Sequence, residues 1–152
     1  MKREETVDYN IKTAWHAISR MYNQYGQEFD LTSSTGFVLL NIDTDSGTPA
    51  TKIAPLLGLE ARSLTRMLKN LEERNLIYRQ ADENDGRLVR IKLTEEGRVK
   101  REIARKAVIV LNEAILAKVT NRKMQTFFEV INSIQQIVED KNLIQEKIKE
   151  FN

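Results

Sequence analysis

A chain of 152 residues has the length of one domain, and with 41% apolar and 30% charged side chains it can bury a core and stay in solution, which excludes disorder. Its 24 Lys and Arg nearly balance 22 Asp and Glu, for a net charge of +2, so a histone-like or polybasic reading fails for the chain as a whole. Zero cysteines exclude disulfide frameworks, thiolate zinc sites, iron–sulfur clusters and thiol sensing, and one histidine leaves little room for a multi-His metal site.

Helices are expected wherever glycine and proline are missing: residues 1–25 contain neither, nor do the residues after Gly97. In the first stretch Ile11, Ala14, Trp15, Ile18, Met21, Tyr22 and Tyr25 recur at steps of three and four, one apolar stripe on a helix of roughly 20 residues ending near Gly26. Thr32, Ser33 or Ser34 can cap a second helix with Phe37, Val38, Leu39, Leu40 and Ile42 as its core, and Asp43 to Gly47 carries turn chemistry.

Thr48 to Gly58 reads as a short helix stopped by glycine. The stretch from Glu60 to Arg74 is a second helix packed on it through Leu64, Met67, Leu68 and Leu71. Pro55 would break an interior helix, so the first of the pair is expected to start near Thr51, with Pro55 in its first turn. Strands at Leu76–Gln80 and Leu88–Leu93, separated by the turn Asp82-Glu-Asn-Asp-Gly86, form a β-hairpin.

Thr94 then caps a long helix whose Glu95 and Glu96 suit its positive end. The run Ala107–Leu111, the longest apolar run in the chain, covers every side of that helix, so it needs enclosure that a second copy can supply. Five residues fall far short of the ~20 that span a bilayer, so the chain is expected to be cytoplasmic and to touch no membrane. A last helix, capped near Thr120, aligns Met124, Phe127 or Phe128, Ile131, Ile134 and Val138, and Ile144, Ile148 and Phe151 carry the apolar character to the end.

Helix, glycine turn, helix and hairpin in that order make a winged helix-turn-helix. The fold class is therefore mainly α with a small β-hairpin wing, residues 31–94 forming the DNA-binding lobe and residues 1–30 and 95–152 a helical body of the same single domain. Charge agrees: residues 1–50 sum to −3, residues 51–106 to +5 and the remainder to zero. The outer face of the second helix offers Arg62, Ser63, Thr65, Arg66 and Lys69. Arginine can grip guanine O6 and N7, while Ser and Thr reach phosphates or base edges. At the hairpin tip Arg87 suits a narrow minor groove, with Asp85 to fix its aim.

At these residues the chain resembles the multiple-antibiotic-resistance regulator (MarR) family of bacterial transcription factors. The matching text is Ile53-Ala-Pro-Leu-Leu-Gly-Leu-Glu-Ala-Arg-Ser-Leu-Thr-Arg66, Leu71-Glu-Glu-Arg-Asn-Leu-Ile77, Asp85-Gly-Arg87 and Leu93-Thr-Glu-Glu-Gly97. The resemblance implies Arg62, Ser63, Thr65 and Arg66 on the recognition helix and Arg87 as wing arginine with Asp85 as its partner. It also implies that the helical body, residues 1–30 and 95–152, is a dimerisation body, with the dimer formed by the first helix and the last two, and it implies a cleft for small, often aromatic or phenolic, ligands. Three residues depart from the pattern: Asn75 stands where the family has glycine, Gly86 replaces a second basic wing residue, and Pro55 lies inside a motif helix.

Each candidate has a plainer reading. Arg62, Arg66 and Lys69 taken alone would be a solvated helix face; the wing and exit signature tips them to DNA. Lys52, Arg74, Arg79, Arg90 and Lys92 divide between phosphate contacts and solubility charge. Trp15, His16, Tyr22 and Tyr25 could line a ligand cleft, although core or dimer packing is the more ordinary role. A calcium loop at Asp82–Gly86 fails, because its register puts Ala81 and Lys92 at ligand positions. No cofactor fingerprint and no catalytic constellation accompanies the lone histidine. The expected function is a sequence-specific DNA-binding regulator, a homodimeric repressor on a pseudo-palindromic operator, released by a small molecule. The rival class is a winged-helix protein–protein adaptor that does not touch DNA.

Overall fold

The computed structural model describes residues 1–82 and 84–150, divided into two compact units, Met1–Val108 and Ile109–Asn152. In the first unit α1 (Val7–Gly26) and α2 (Ser33–Leu40) are joined by a tight turn in which Asp30 adopts a left-handed backbone, φ 52°. Thr32 caps α2 through a reciprocal pair: its hydroxyl accepts the Thr35 N–H at 3.1 Å, and the Thr35 hydroxyl accepts the Thr32 N–H at 3.0 Å.

The segment after α2 adds a strand that periodicity could not reveal. Thr48–Pro49 form β1, too short to alternate, yet proline holds the residue before it extended. It pairs antiparallel with β3 (Val89–Leu93), which pairs on its other edge with β2 (Ile77–Ala81), so the expected hairpin is part of a three-stranded sheet of order β1-β3-β2.

Because Thr48 and Pro49 are held in that strand, α3 (Ala50–Leu57) starts at Ala50, earlier than the sequence suggests. Pro55 therefore sits inside the helix, not in its first turn. Its missing N–H leaves the Thr51 carbonyl without its helical partner, a defect that a helix this short accommodates near its end. Gly58, at φ 60° and ψ 30°, ends α3 in the left-handed region; the Leu59 N–H returns to the Ala54 carbonyl at 3.0 Å.

α4 (Ala61–Glu73) buries Leu64, Leu68 and Leu71. Asn75 replaces glycine at its exit without losing the cap: at φ 55° it lets its own N–H reach the Glu72 carbonyl and that of Leu76 reach Leu71, both at 2.9 Å. The two residues that close this turn, Leu71 and Leu76, are themselves core side chains. The core runs from Leu31 to Leu93, with Ile42, Ile53, Ile77 and Ile91 at its centre, so apolar burial is concentrated in the lobe that carries α3, α4 and the sheet.

α5 (Glu95–Leu116) begins where Thr94 accepts the Gly97 N–H at 3.0 Å. A Cβ on Gly97 would land on the main-chain carbonyl of Leu76, so glycine is what allows this first turn to lie against the exit of α4. In the second unit α6 (Asn121–Glu139) is capped by Thr120 as expected. The single last helix of the sequence reading is in fact two: the Asp140 carboxylate accepts the N–H groups of Asn142 and Leu143, each at 3.1 Å, and starts α7 (Lys141–Glu150). No residue of α6 or α7 is buried among those described, and Phe151 lies outside the described residues. No helix among the described residues is long and apolar enough to cross a membrane.

Candidate nucleic-acid interface

A helix that buries Leu64, Leu68 and Leu71 on one side must turn the residues between them outward. Arg62, Ser63, Thr65, Arg66 and Lys69 are all exposed on α4. No carboxylate among the described residues pairs with Arg62 or Arg66, so neither guanidinium has to be stripped from a partner before it meets an anion. Lys69 has only a loose contact with Glu73 at 3.8 Å, both side chains well exposed. The Thr65 hydroxyl donates to the Ala61 carbonyl at 2.8 Å, which leaves its oxygen as an acceptor facing out.

The tip of the β2–β3 hairpin is organised by carboxylates acting on the main chain. Asp85 Oδ1 accepts the Arg87 backbone N–H at 3.0 Å, so Asp85 fixes the backbone that carries the arginine. No described carboxylate pairs with the Arg87 guanidinium, which is exposed along with Asp85 and Gly86. Asp82 Oδ1 accepts the N–H groups of Asn84 at 2.9 Å and Asp85 at 3.2 Å. Those amides, with the Arg90 guanidinium beside them, hold the Asp82 carboxyl below the usual carboxylate range.

The basic residues that the sequence left divided differ in their pairing. Arg74 is spent on the carbonyl and carboxylate of Asp30, Arg79 on Glu72 at 3.1 Å, and Arg90 on Asp82. Lys52 and Lys92 have no ion pair among the described residues. The partner of Arg74 lies 44 residues away in the chain, which no local pattern discloses.

A second feature is an apolar cleft in the first unit, lined by Tyr22, Tyr25, Leu31, Phe37, Leu40 and Ile103 among others. It brings Tyr22 and Tyr25 together, and burial pushes the Tyr22 phenol up. Trp15 and His16 lie outside its lining: Trp15 stands half exposed against Phe37, with ring centres 5.5 Å apart, and His16 is exposed. Phe37 and Leu40 escaped the sequence reading as lining residues because the same apolar spacing also describes core. Among the described residues no cluster of His, Asp or Glu could hold a metal.

Comparison with known proteins places this arrangement. The profile of the MarR family matches residues 31–89. The HTH-type transcriptional regulator SarZ of Staphylococcus aureus is 35% identical over 97 residues, a match that spans 63% of this chain and 66% of SarZ. The match thus covers slightly less than two thirds of that relative's length. Among solved structures, the S. aureus MepR–DNA complex superposes with a TM-score of 0.78 at 22% identity, covering 86% of this chain and 97% of MepR. CouR from Rhodococcus jostii RHA1 bound to p-coumaroyl-CoA gives 0.77 at 21% identity, covering 88% and 94%. At these identities the two superpositions speak to the fold.

Proposed function

We propose that this chain is a transcription regulator of the MarR type, a family of regulators and not of enzymes, and that it acts as a homodimeric repressor reading a pseudo-palindromic operator; the family profile matched at residues 31–89 and the likeness to SarZ support the reading. The observation that carries the reading is the outer face of α4. Its Arg62, Ser63, Thr65, Arg66 and Lys69 stand exposed, two arginines without carboxylate partners among the described residues, in a stretch with an excess of five positive charges. In a major groove ~12 Å wide such a helix lets Arg66 and Arg62 address base edges while Ser63, Thr65 and Lys69 contact phosphates. Arg87, its backbone held by Asp85, enters the adjacent minor groove. MepR, whose fold this chain shares, has been solved on DNA.

Apolar exposure supports the dimer. Val110, Phe127, Phe128 and Val138 in the second unit are half exposed or more, a surface that water penalises until another chain covers it. A second copy joined through the first and last helices would set two recognition helices about one helical turn of DNA apart, ~34–36 Å. Repression then follows from occupancy of a site that polymerase needs, in the cytoplasm where the chromosome lies.

The apolar cleft offers the means of release, with Tyr22 and Tyr25 in its wall and Trp15 and His16 nearby on the same helix. A small aromatic or phenolic compound fits its chemistry, and CouR is known with an aromatic acyl thioester bound. An adaptor without DNA contact would present aromatic anchors on the outer face of α4, where this chain presents arginine and hydroxyl side chains. Selection of fragments from the source genome by the purified chain, followed by footprinting, tests the proposal. Protected pseudo-palindromes support it, and recovery of no fragment above background overturns it.

A further inference from the structure

The wing arginine is useful only if the hairpin that carries it is aimed, and two strands ending in a free tip do not aim themselves. Asp82, at the end of the β2 strand, is 7% exposed, which is unusual for an aspartate. One of its oxygens, Oδ1, accepts the amides of Asn84 and Asp85, and the other, Oδ2, accepts the Nε–H of Arg90 on β3. The same Arg90 reaches away from the wing with Nη1, donating to the carbonyls of Gly47 at 3.1 Å and Ser46 at 3.3 Å.

Those two carbonyls are firm anchors. Asp43 Oδ1 gathers the Asp45 and Ser46 amides at 3.0 and 2.7 Å and the Ser46 hydroxyl at 2.9 Å, and Gly47 leads directly into β1, which is paired with β3. Each link is a charge-assisted bond or a bond to a carboxylate, the stronger class of hydrogen bond. A continuous chain of contacts therefore runs from the α2–β1 loop through Arg90 and Asp82 to Asp85, whose carboxylate holds the backbone of Arg87.

We propose that Asp82 and Arg90 are positioning residues for DNA recognition, a brace that locks the wing to the α2–β1 loop and so aims Arg87 without touching DNA themselves. This rests on the DNA-binding function proposed for α4 and the wing. The bracing pair is consistent with the rest of the wing, because Gly86 supplies no second basic contact and leaves Arg87 to act alone at the tip.

The test is a double-mutant cycle on the full chain, read by fluorescence anisotropy with an AT-rich duplex of about 30 base pairs titrated with salt, beside thermal melts of each variant. Asp82→Asn is expected to weaken binding roughly tenfold, the scale of a single charge-assisted hydrogen bond, and to flatten the log–log salt slope by about 0.9, as Arg87→Ala does. Combined with Arg87→Ala it should add little further loss. Arg90→Lys, which keeps the charge but cannot span Asp82 and both carbonyls, should show the same slope change in a protein that still melts cooperatively, and Asp82→Glu should recover part of the affinity. Additive losses in the double variant, or a folded Arg90→Lys protein with the parental slope, overturn the brace while leaving DNA binding intact. A parent that fails to bind the duplex at all overturns both.

Discussion

Asp85 and Arg87 meet through the main chain, not through an ion pair: the Asp85 carboxylate accepts the Arg87 backbone N–H at 3.0 Å, and the guanidinium is left exposed. The consequence is a division of labour at the wing tip. Arg87→Ala should lower DNA affinity and reduce the salt slope by about one, the signature of one fewer cation on the DNA. Asp85→Ala should weaken binding with Arg87 still present. Salt titrations by anisotropy check both, and a parental slope in Arg87→Ala removes the wing assignment.

Two backbone devices set the position of α4 and should be sensitive in opposite ways. Gly97→Ala puts a methyl group onto the Leu76 carbonyl, so it should destabilise by ~1–3 kcal/mol and lower the melting point by several degrees. Asn75→Gly keeps the left-handed exit and should be neutral or slightly stabilising, whereas Asn75→Ala should cost ~1–2 kcal/mol for the same backbone. Urea unfolding midpoints compare the three; equal midpoints for the alanine and glycine variants at position 75 would contradict the cap.

Much of this architecture was legible in the chain. The stripe of α1, a cap among Thr32, Ser33 and Ser34, the Thr94 and Thr120 caps and the glycine stop at Gly58 are local patterns, and local hydrogen bonding decides them; the structure selects Thr32. β1 was missed because two residues carry no periodicity, and that omission also misplaced the start of α3 and with it Pro55. The break at Asp140 was overlooked because the apolar spacing runs on through it, although an aspartate with free amides ahead is a cap signal. At the candidate site, the outward face of α4 followed from helix geometry alone. The fate of Arg74, Arg79 and Arg90 did not, since it depends on which carboxylates the fold brings to them.

Apolar exposure in the second unit bears on assembly. The chain should sediment as a dimer at micromolar concentration. Val110→Asp, which places a charge on this exposed apolar surface, should weaken association by at least about tenfold. A monomeric parent would contradict the dimer.

The Asp43 carboxyl is held below its usual range, chiefly by the Ser46 N–H, then by the Ser46 hydroxyl and the Asp45 N–H. A carboxyl whose pKa is lower folded than unfolded stabilises the fold above its unfolded pKa of ~3.9, and that stability is lost as pH falls through the folded value. The gap in urea midpoint between the parent and Asp43→Ala should therefore be full at pH 6 and shrink below about pH 4. A gap that stays constant across that range would contradict the assignment.

The central claim is that the exposed face of α4 reads DNA sequence. Its most direct test is a competition measurement with a genomic duplex selected by the parent chain and a scrambled duplex of equal length, using the parent, Arg66→Ala and Lys69→Ala. The expected result is a clear parental preference for the selected duplex, a loss of ~1–3 kcal/mol of that preference in Arg66→Ala, and in Lys69→Ala weaker binding to both duplexes alike. A parent that binds the two duplexes equally, or an Arg66→Ala variant that keeps the full preference, would contradict it.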